Sequence, residues 1–231
     1  MMMADASLLR LLQLASPSLP IGAYSYSQGM ESAIDAGLVH DAASARGWIH
    51  AALIEVVGRF DAPLQWRLLC AFDERDGAAI CDWSERWLAS RDTAELRAET
   101  IQMGYSLRQL LGALLDDLPE ADPRMLALLD ATVLSLPAAF ACAAAALGVA
   151  PPAALLGALF SWVENQVLVC VKTVPLGQVA GQRMLLALAP AVEDVARHAQ
   201  ALPHAALSNW APGMSLLSMR HEVQYSRLYR S

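Results

Sequence analysis

The sequence predicts an all-α protein, folded as a single-domain bundle of roughly ten helices. Among its 231 residues, 43 alanines and 38 leucines far outnumber the 20 valines and isoleucines, so the apolar residues are mainly helix formers. The hydrophobic fraction is 56% and the charged fraction 17%, which supplies enough apolar side chains for one large core. No internal repeat, low-complexity linker or sharp change of composition divides the chain, so we expect one domain over residues 1–231.

In the first half of the chain, proline, glycine and acidic residues mark the ends of short helices. Leucines in residues 8–14 indicate an opening helix that stops before Pro17, because proline disfavours helical dihedrals in the residue preceding it. An ordered loop over residues 16–27 follows, rich in serine and tyrosine. A helix over residues 28–36 is expected to end at Gly37, and Asp41 is expected to cap the next helix. Asp61 and Pro63 predict the start of a further helix, and residues 73–77 predict a turn.

The second half is predicted to hold the longest helices. Asp92 and Glu95 have the spacing of a capping box and predict a helix over residues 93–118. Gly104 falls inside it, where glycine costs roughly 1 kcal/mol relative to alanine, so we expect a packing reason for that glycine. Residues 119–123 predict a break, and further helices are expected over residues 125–133, 137–147, 153–171 and 176–188.

Residues 131–163 contain no charged side chain and are long enough to cross a membrane. Pro137, Gly148 and Pro151 divide the segment, and its many alanines contribute little transfer energy, so two buried core helices are favoured over a transmembrane helix. The high hydrophobic fraction also suggests more apolar surface than one monomer hides. We expect this additional apolar surface to be buried against a partner.

Net charge and cysteine content indicate which partners and which cellular compartment to expect. A net charge of −7 gives no overall attraction to phosphate backbones, so nucleic acid is not an expected partner. Cys70, Cys81, Cys142 and Cys170 form no CxxC pair, and no leader with a charged and then an apolar region is recognisable. These features favour a reduced, cytoplasmic protein with buried thiols.

A search for catalytic and metal-binding motifs is negative. The five histidines are scattered, and none lies four residues from another histidine or a cysteine, so no chain-local metal site is predicted. No GxSxG sequence is present. The stretch over residues 177–183 has two glycines but lacks the GK[ST] ending of a phosphate loop. We therefore predict no catalytic residue, no cofactor site and no metal site.

Two segments instead suggest contact with other proteins. Residues 220–231 combine arginines, tyrosines, a histidine and a glutamate, and arginine and tyrosine are common at the centres of interfaces. A solvated tail is the alternative interpretation. On a helix over residues 176–188, Gln178 and Gln182 lie one turn apart beside Gly177 and Gly181, which suits close contact with another backbone. Packing inside the same chain is about equally compatible with that pattern.

Four blocks, in order along the chain, resemble the urease accessory protein UreF. The blocks are residues 14–31 (LASPSLPIGAYSYSQGME), residues 97–107 with Arg97, Glu99, Gly104, Ser106 and Leu107, residues 171–183 (VKTVPLGQVAGQR) and residues 220–231 (RHEVQYSRLYRS). The departures are mild: tyrosine at 24 and 229 where the family commonly has phenylalanine, Met30 in place of leucine and Val223 in place of threonine. None of them removes a charged group.

The resemblance implies a non-enzymatic, all-α assembly factor that forms a homodimer. Such a protein binds UreD, also called UreH, recruits the GTPase UreG and helps to deliver nickel to the urease apoprotein. Residues 220–231 are then expected to be an arm that becomes ordered on UreD. The partner-binding residues implied by the resemblance are Ser25, Tyr26, Glu31, Arg97, Glu99, Lys172, Gln178, Gln182, Arg183, Arg220, His221, Glu222, Gln224, Tyr225, Ser226, Arg227, Tyr229 and Arg230.

Two alternative functions remain open. Gln178, Gln182 and Arg183 are residue types that can orient a water or neutralise phosphate charge in trans, so the chain is a candidate regulator of GTP hydrolysis by UreG. Plain docking or dimer packing by the same helix face is favoured over this role. A metal-carrying chaperone is less favoured, because the scattered histidines would have to converge in space.

Overall fold

The computed structural model describes residues 5–118, 122 and 124–231, and within them it confirms the all-α prediction. No strand occurs in these ranges. The α-helices are α1 (Asp5–Leu14), α2 (Met30–Asp35), α3 (Ala42–Ala52), α4 (Ala62–Glu74), α5 (Gly77–Ala89), α6 (Ala94–Leu115), α7 (Arg124–Asp130), α8 (Leu136–Ala146), α9 (Pro151–Thr173), α10 (Gln178–Ala201) and α11 (Pro212–Glu222). The helices share one contiguous hydrophobic core that extends from Leu14 to Tyr229. The predicted break over residues 119–123 lies outside the described residues except for Asp122.

One prediction of a helix start is wrong, because α3 and α4 belong to one uninterrupted helix. Asp41 caps α3 as predicted, with its side chain accepting from the backbone N–H of Ser44. Asp61 is not a cap: it has helical dihedrals, and a π-helical segment over Leu53–Asp61 joins the two helices. Pro63 has no N–H for the carbonyl of Arg59, and that carbonyl accepts instead from the N–H of Ser208 at 3.2 Å. The wider turn lets the helix pass the proline.

The predicted capping box of α6 is also wrong. Thr93 is the N-cap, with an extended backbone and a side chain that accepts from the N–H of Leu96 at 3.2 Å. Asp92 accepts instead from the hydroxyl of Ser215 at 2.6 Å, and Glu95 contacts the C-terminal segment. Tertiary partners for both acidic side chains therefore replaced the local capping contact.

Gly104 has the packing reason that the sequence predicted. A Cβ atom built at this position would lie 2.5 Å from the carbonyl carbon of Ser135 and 2.9 Å from the backbone nitrogen of Leu136. Since α6 and α8 meet at this point through backbone atoms, no side chain fits between them. The close approach of α6 and α8 therefore requires a residue without a Cβ atom at position 104.

The uncharged segment over residues 131–163 forms two core helices, as predicted. Most residues of α8 are buried, and its N-cap Ser135 accepts from the N–H of Ala138. The following helix, α9, is long and apolar enough to cross a membrane by length and composition, but half of its most apolar window is buried against the rest of the fold. Core helices of soluble proteins can have the same length and apolar composition, so these two properties are weak evidence for a transmembrane helix.

Candidate functional site

The loop over residues 16–27 and the C-terminal tail over residues 220–231 lie together in the fold. Apart from a short 3-10 turn at Ala23–Ser25 the loop has no helix, and Gly22 takes a left-handed backbone with φ of 80°. We call the polar contacts that join this loop, α2, α6 and the tail the tail cluster. Its side chains belong to the residues Ser27, Gln28, Glu31, Glu95, Glu99, His221, Arg227 and Ser231.

His221 lies at the centre of the tail cluster and is fully buried. Its Nε2 atom is 3.0 Å from Oε2 of Glu31 on α2, and its Nδ1 atom is 2.7 Å from Oε2 of Glu95 on α6. Ionised carboxylates only accept hydrogen bonds, so a ring that carries both protons donates to each of them. The second oxygen of Glu95 accepts from Arg227 at 2.6 Å. Three elements are thus joined by charge-assisted bonds in a buried place.

Glu31 also holds the backbone of the tail. Its Oε1 accepts from the N–H of Leu228 at 2.7 Å and its Oε2 from the N–H of Tyr229 at 3.0 Å. The carboxylate is nearly buried and its acceptor positions are used within the chain. Glu31, which the sequence placed among partner-contacting residues, therefore holds the tail in this structure.

Glu99 is the most deeply buried acid of the cluster. Its two oxygens accept from Nε2 of Gln28 at 2.5 Å and from the hydroxyl of Ser231 at 2.7 Å. Gln28 in turn accepts from the indole N–H of Trp162 at 2.6 Å. Burial raises the pKa of Glu99 to about 7, although both hydrogen bonds favour the charged form. Gln28 and Glu99 also line a partly open cavity of about 250 Å³ with mostly apolar walls.

Backbone hydrogen bonds complete the attachment of the tail to the loop. The N–H of Arg230 donates to the carbonyl of Ser25 at 2.8 Å. The carbonyl oxygen of Ser231 accepts from the N–H of Ser27 at 2.7 Å and from its hydroxyl at 2.5 Å. Tyr26 is buried, and its carbonyl accepts from the side-chain amide of Asn165 at 3.0 Å. These bonds run along the backbone and fix the register between the two segments.

The tail has a buried side and an exposed side. His221, Tyr229 and Ser231 are buried, and burial raises the pKa of Tyr229 with a further contribution from Glu31. The residues exposed to solvent are Arg220, Glu222, Val223, Tyr225, Ser226, Arg227, Leu228 and Arg230, while Gln224 is half-buried. The tail was expected to be an arm that becomes ordered on a partner, and that stays a prediction. In the structure the tail packs against its own chain, where Glu31, Glu95 and Glu99 supply acceptors for it.

The predicted residues on α10 stand apart from the tail cluster. Gln178, Gln182 and Arg183 are exposed, and no hydrogen bond or ion pair among the described residues joins them to the tail. Gly181 is buried, and a Cβ there would lie 2.8 Å from a methyl group of Val171 on α9. The glycine of this face therefore serves packing inside the chain, while Gln182 and Arg183 remain on the surface.

Two further predicted residues are placed near the loop and α5. The ammonium group of Lys172 lies 5.9 Å from the ring centre of Tyr24, within the range of a weak cation–π contact. Arg97 is exposed and donates to the carbonyl of Leu88 at 2.9 Å, which satisfies the end of α5. Lys172 thus stands beside the serine and tyrosine loop, whereas Arg97 has a structural contact.

No group of three or more His, Cys, Asp or Glu side chains in the described ranges is arranged to hold a metal ion. Glu31, His221 and Glu95 are close, yet the two carboxylates contact opposite nitrogens of one ring and do not converge on one point. Both deeply buried thiols, Cys142 and Cys170, have a pKa raised to about 12 by burial. The described contacts of the tail cluster are hydrogen bonds and ion pairs that hold the backbone of the tail.

The sequence missed Ser27, Gln28, Glu95 and Ser231 as members of the cluster. Glu95 was assigned to a capping box, and Gln28 to the start of a helix. The bonding partners are separated by 71 residues for Gln28 with Glu99 and by 126 for Glu95 with His221, so no local spacing could pair them. The positive φ of 53° at Gln28 is likewise invisible in the sequence.

Comparison with known proteins gives a consistent result. A family model described as UreF matches residues 39–189. The chain is 64% identical over 230 residues to the urease accessory protein UreF of Janthinobacterium sp. (strain Marseille), covering 99% of this chain and 100% of that protein. It is 57% identical over 229 residues to the protein of the same name from Nitrosospira multiformis, covering 97% of this chain and 98% of that protein. A third such protein, from Azoarcus sp. (strain BH72), is 50% identical over 226 residues, with 97% and 95% covered.

Proposed function

The chain belongs to the UreF family of urease accessory proteins, and from that premise we propose that it is a non-enzymatic assembly factor of urease. In this proposal it binds UreD, also called UreH, recruits the GTPase UreG, and so assists GTP-dependent insertion of nickel into the urease apoprotein. Nickel is the cargo of the assembly rather than a resident cofactor. We place the protein in the cytoplasm, in keeping with cysteines that are all free thiols among the described residues.

The tail cluster is the observation that carries the proposal. Tyr229 and Ser231 are held against the body, so the residues between them and α11 are presented at a defined place on the surface. Tyr225 is fully exposed, and Val223 and Leu228 are 84% and 77% exposed. Exposed aromatic and aliphatic side chains among arginines have the composition of an interface centre with a charged rim. We assign this surface to UreD.

Co-purification tests this assignment with surface substitutions that leave the buried contacts intact. We expect the double substitution Tyr225→Ala and Leu228→Ala to reduce recovery of UreD at least tenfold, because two exposed side chains of this kind carry a large share of an interface. Val179→Ala, on the exposed face of α10, is the matched control and should leave recovery of UreD unchanged. Unchanged recovery with the double variant would rule out the tail as the UreD surface.

The exposed face of α10 is our candidate for contact with UreG. Val179 and Leu186 are 65% and 77% exposed and flank Gln182 and Arg183 along one side of the helix. Apolar residues on both sides of the polar pair favour docking over catalysis, because a residue that only neutralises phosphate needs no apolar surround. The alternative, stimulation of GTP hydrolysis by Arg183, is tested by single-turnover hydrolysis with Arg183→Ala. Equal rates would leave docking as the role of this face.

Homodimer formation is part of the proposal and has its own candidate surface. Trp210 is 82% exposed directly before α11, and Leu216 and Met219 are exposed on α11 itself. A tryptophan with nearby aliphatic side chains in water marks an interface rather than a solvated surface. We expect Trp210→Glu combined with Leu216→Glu to convert a dimer into a monomer in light scattering. Retention of the dimer would assign these residues to another contact.

The metal-carrying alternative is tested directly by titration of the purified protein with nickel. In the described ranges the five histidines do not gather with acidic or thiol groups into a site. A tight site seen by calorimetry would revive the alternative. In the proposed role, urease from cells lacking this protein should contain little nickel, and the intact chain should restore both nickel content and activity.

A further inference from the structure

We propose that the groove between α6 and the loop over residues 16–27 binds an acidic peptide segment of a partner protein. Arg230 is the residue of the groove that contacts a carboxylate of this segment. The inference deepens the proposed function and rests on it in taking the partner to be a protein. What it adds is the chemistry of the partner segment and the residues of this chain that recognise it.

The groove is an open depression of about 500 Å³. Its lining residues are Pro17, Ser18, Leu19, Pro20, Ile21, Gly22, Tyr24, Ser25, Tyr26, Gln102, Ser106 and Arg230. The loop forms one wall, with prolines that restrict its backbone, and two polar residues of α6 form the other. The volume is in the range of sites that take a few side chains of a ligand.

Arg230 is held in position on both sides by its neighbours in the tail. Tyr229 donates its N–H to Glu31, Ser231 accepts from Ser27, and the N–H of Arg230 itself donates to Ser25. Its side chain is nevertheless exposed, and no hydrogen bond or ion pair engages its guanidinium within the described part of the chain. Because the backbone of Arg230 is already ordered, binding of a carboxylate has to order only its side chain.

The charge of the groove distinguishes it from the rest of the molecule. The whole chain has 23 acidic and 16 basic residues, yet none of the groove's lining residues is acidic and Arg230 is its single charged one. Lys172 adds a second positive charge beside Tyr24 at the rim. A carboxylate entering the groove therefore meets positive charge without a competing acid, in the geometry that arginine recognises with two parallel hydrogen bonds.

The remaining polar groups favour an extended peptide over a small anion. The hydroxyl of Ser25 has no hydrogen-bond partner in the described ranges, and Gln102 uses its amide only in a 3.5 Å contact with Ser106. Arg230 is the single charged residue among these lining groups, whereas a free phosphate needs several donors converging on it. The side chain of Tyr24, 60% exposed, offers further contact area at the loop.

Fluorescence anisotropy on the full chain tests the proposal without any urease partner. The probe is a rhodamine-labelled peptide of alternating glutamate and glycine, compared with the same peptide carrying glutamine, at about 50 mM salt, where charges are only partly screened. We expect binding of the glutamate peptide alone. Arg230→Gln should weaken it at least about tenfold, the scale of one charge-assisted contact. Arg46→Gln, an exposed arginine on α3, is the matched control and should leave binding within about twofold.

A second variant keeps Arg230 and changes the opposite wall. Ser106→Glu places a carboxylate across the groove and should abolish binding of the glutamate peptide, while far-ultraviolet circular dichroism confirms the helical fold. Equal binding of both peptides, equal losses with Arg230→Gln and Arg46→Gln, or complete displacement by inorganic phosphate would each overturn the proposal. Failure here would leave co-purification with UreD unaffected, so it is distinguishable from failure of the proposed function.

Discussion

The Nε2 atom of His221 lies 3.0 Å from Oε2 of Glu31, which joins α11 to α2 between residues 190 positions apart. The histidine is fully buried and the glutamate nearly so. The same carboxylate accepts from two backbone N–H groups of the tail, so one acidic side chain holds both the end of the last helix and the segment after it. The tail is thus part of the folded body as well as a candidate interface.

Removing the histidine should destabilise the protein strongly. His221→Ala leaves Glu31 and Glu95 in a buried place without their shared partner, and we expect a loss of about 3 to 5 kcal/mol in the free energy of unfolding. Urea denaturation measures it. His198→Ala on the exposed side of α10 is the control and should stay within about 0.5 kcal/mol. Similar values for the two variants would contradict the role given to His221.

Glu99 should make stability depend on pH. Its pKa is raised from 4.5 to about 7 in the fold, so the folded state favours the protonated acid, and stability falls as pH rises from about 4.5 to about 7. Since the group is fully buried, the total cost is on the order of 3 kcal/mol. Glu99→Gln keeps a neutral group there and should flatten this dependence in urea denaturation between pH 5 and pH 8. Parallel curves for both proteins would show that another group governs the pH response.

Two glycines of α6 should respond to alanine with opposite signs. Gly104→Ala places a methyl group against the backbone of Ser135, and we expect a loss of about 2 kcal/mol or more, since backbone atoms on α8 cannot step aside. Gly112→Ala has only the flexible end of Arg108 nearby, at 3.5 Å, and should gain up to about 1 kcal/mol from helix propensity. Thermal or urea unfolding measures both. A gain at Gly104 would mean that the helices separate there at little cost.

Two tyrosines of the tail should separate folding from partner binding. Tyr229 is buried, so Tyr229→Ala should cost about 3 kcal/mol in unfolding free energy. Tyr225 is fully exposed, and Tyr225→Ala should leave stability within about 0.5 kcal/mol while weakening recovery of UreD. The pair is measured by urea denaturation and co-purification side by side. Equal losses of stability would show that Tyr225 packs on the body in solution.

The sequence predicted the helices best where the signal was local. Asp41 as a cap, Gly37 at the end of α2 and Gly104 at a helix contact follow from neighbouring residues or from the cost of glycine in a helix, and all three are found. Asp61 and the box formed by Asp92 and Glu95 carried equally good local signals and were wrong. At Asp61 the helix continues through the proline, so no cap is needed. Asp92 and Glu95 accept hydrogen bonds from residues distant in sequence and not from the first turn of α6. Local capping is worth about 1 kcal/mol, and tertiary contacts of similar size displaced it.

The sequence by itself determined the all-α class, the two core helices of the uncharged segment, and the four blocks that resemble UreF. These conclusions depend on the amino-acid composition and on the order of the motifs along the chain, and both are properties of the sequence alone. Only the tertiary structure decided that Glu31, Glu99 and His221 hold the tail while Tyr225 and Arg230 face solvent. The physical reason is that each buried acid took its hydrogen-bond donors from residues more than 70 positions away, and burial, not residue type, separates a structural contact from an available one.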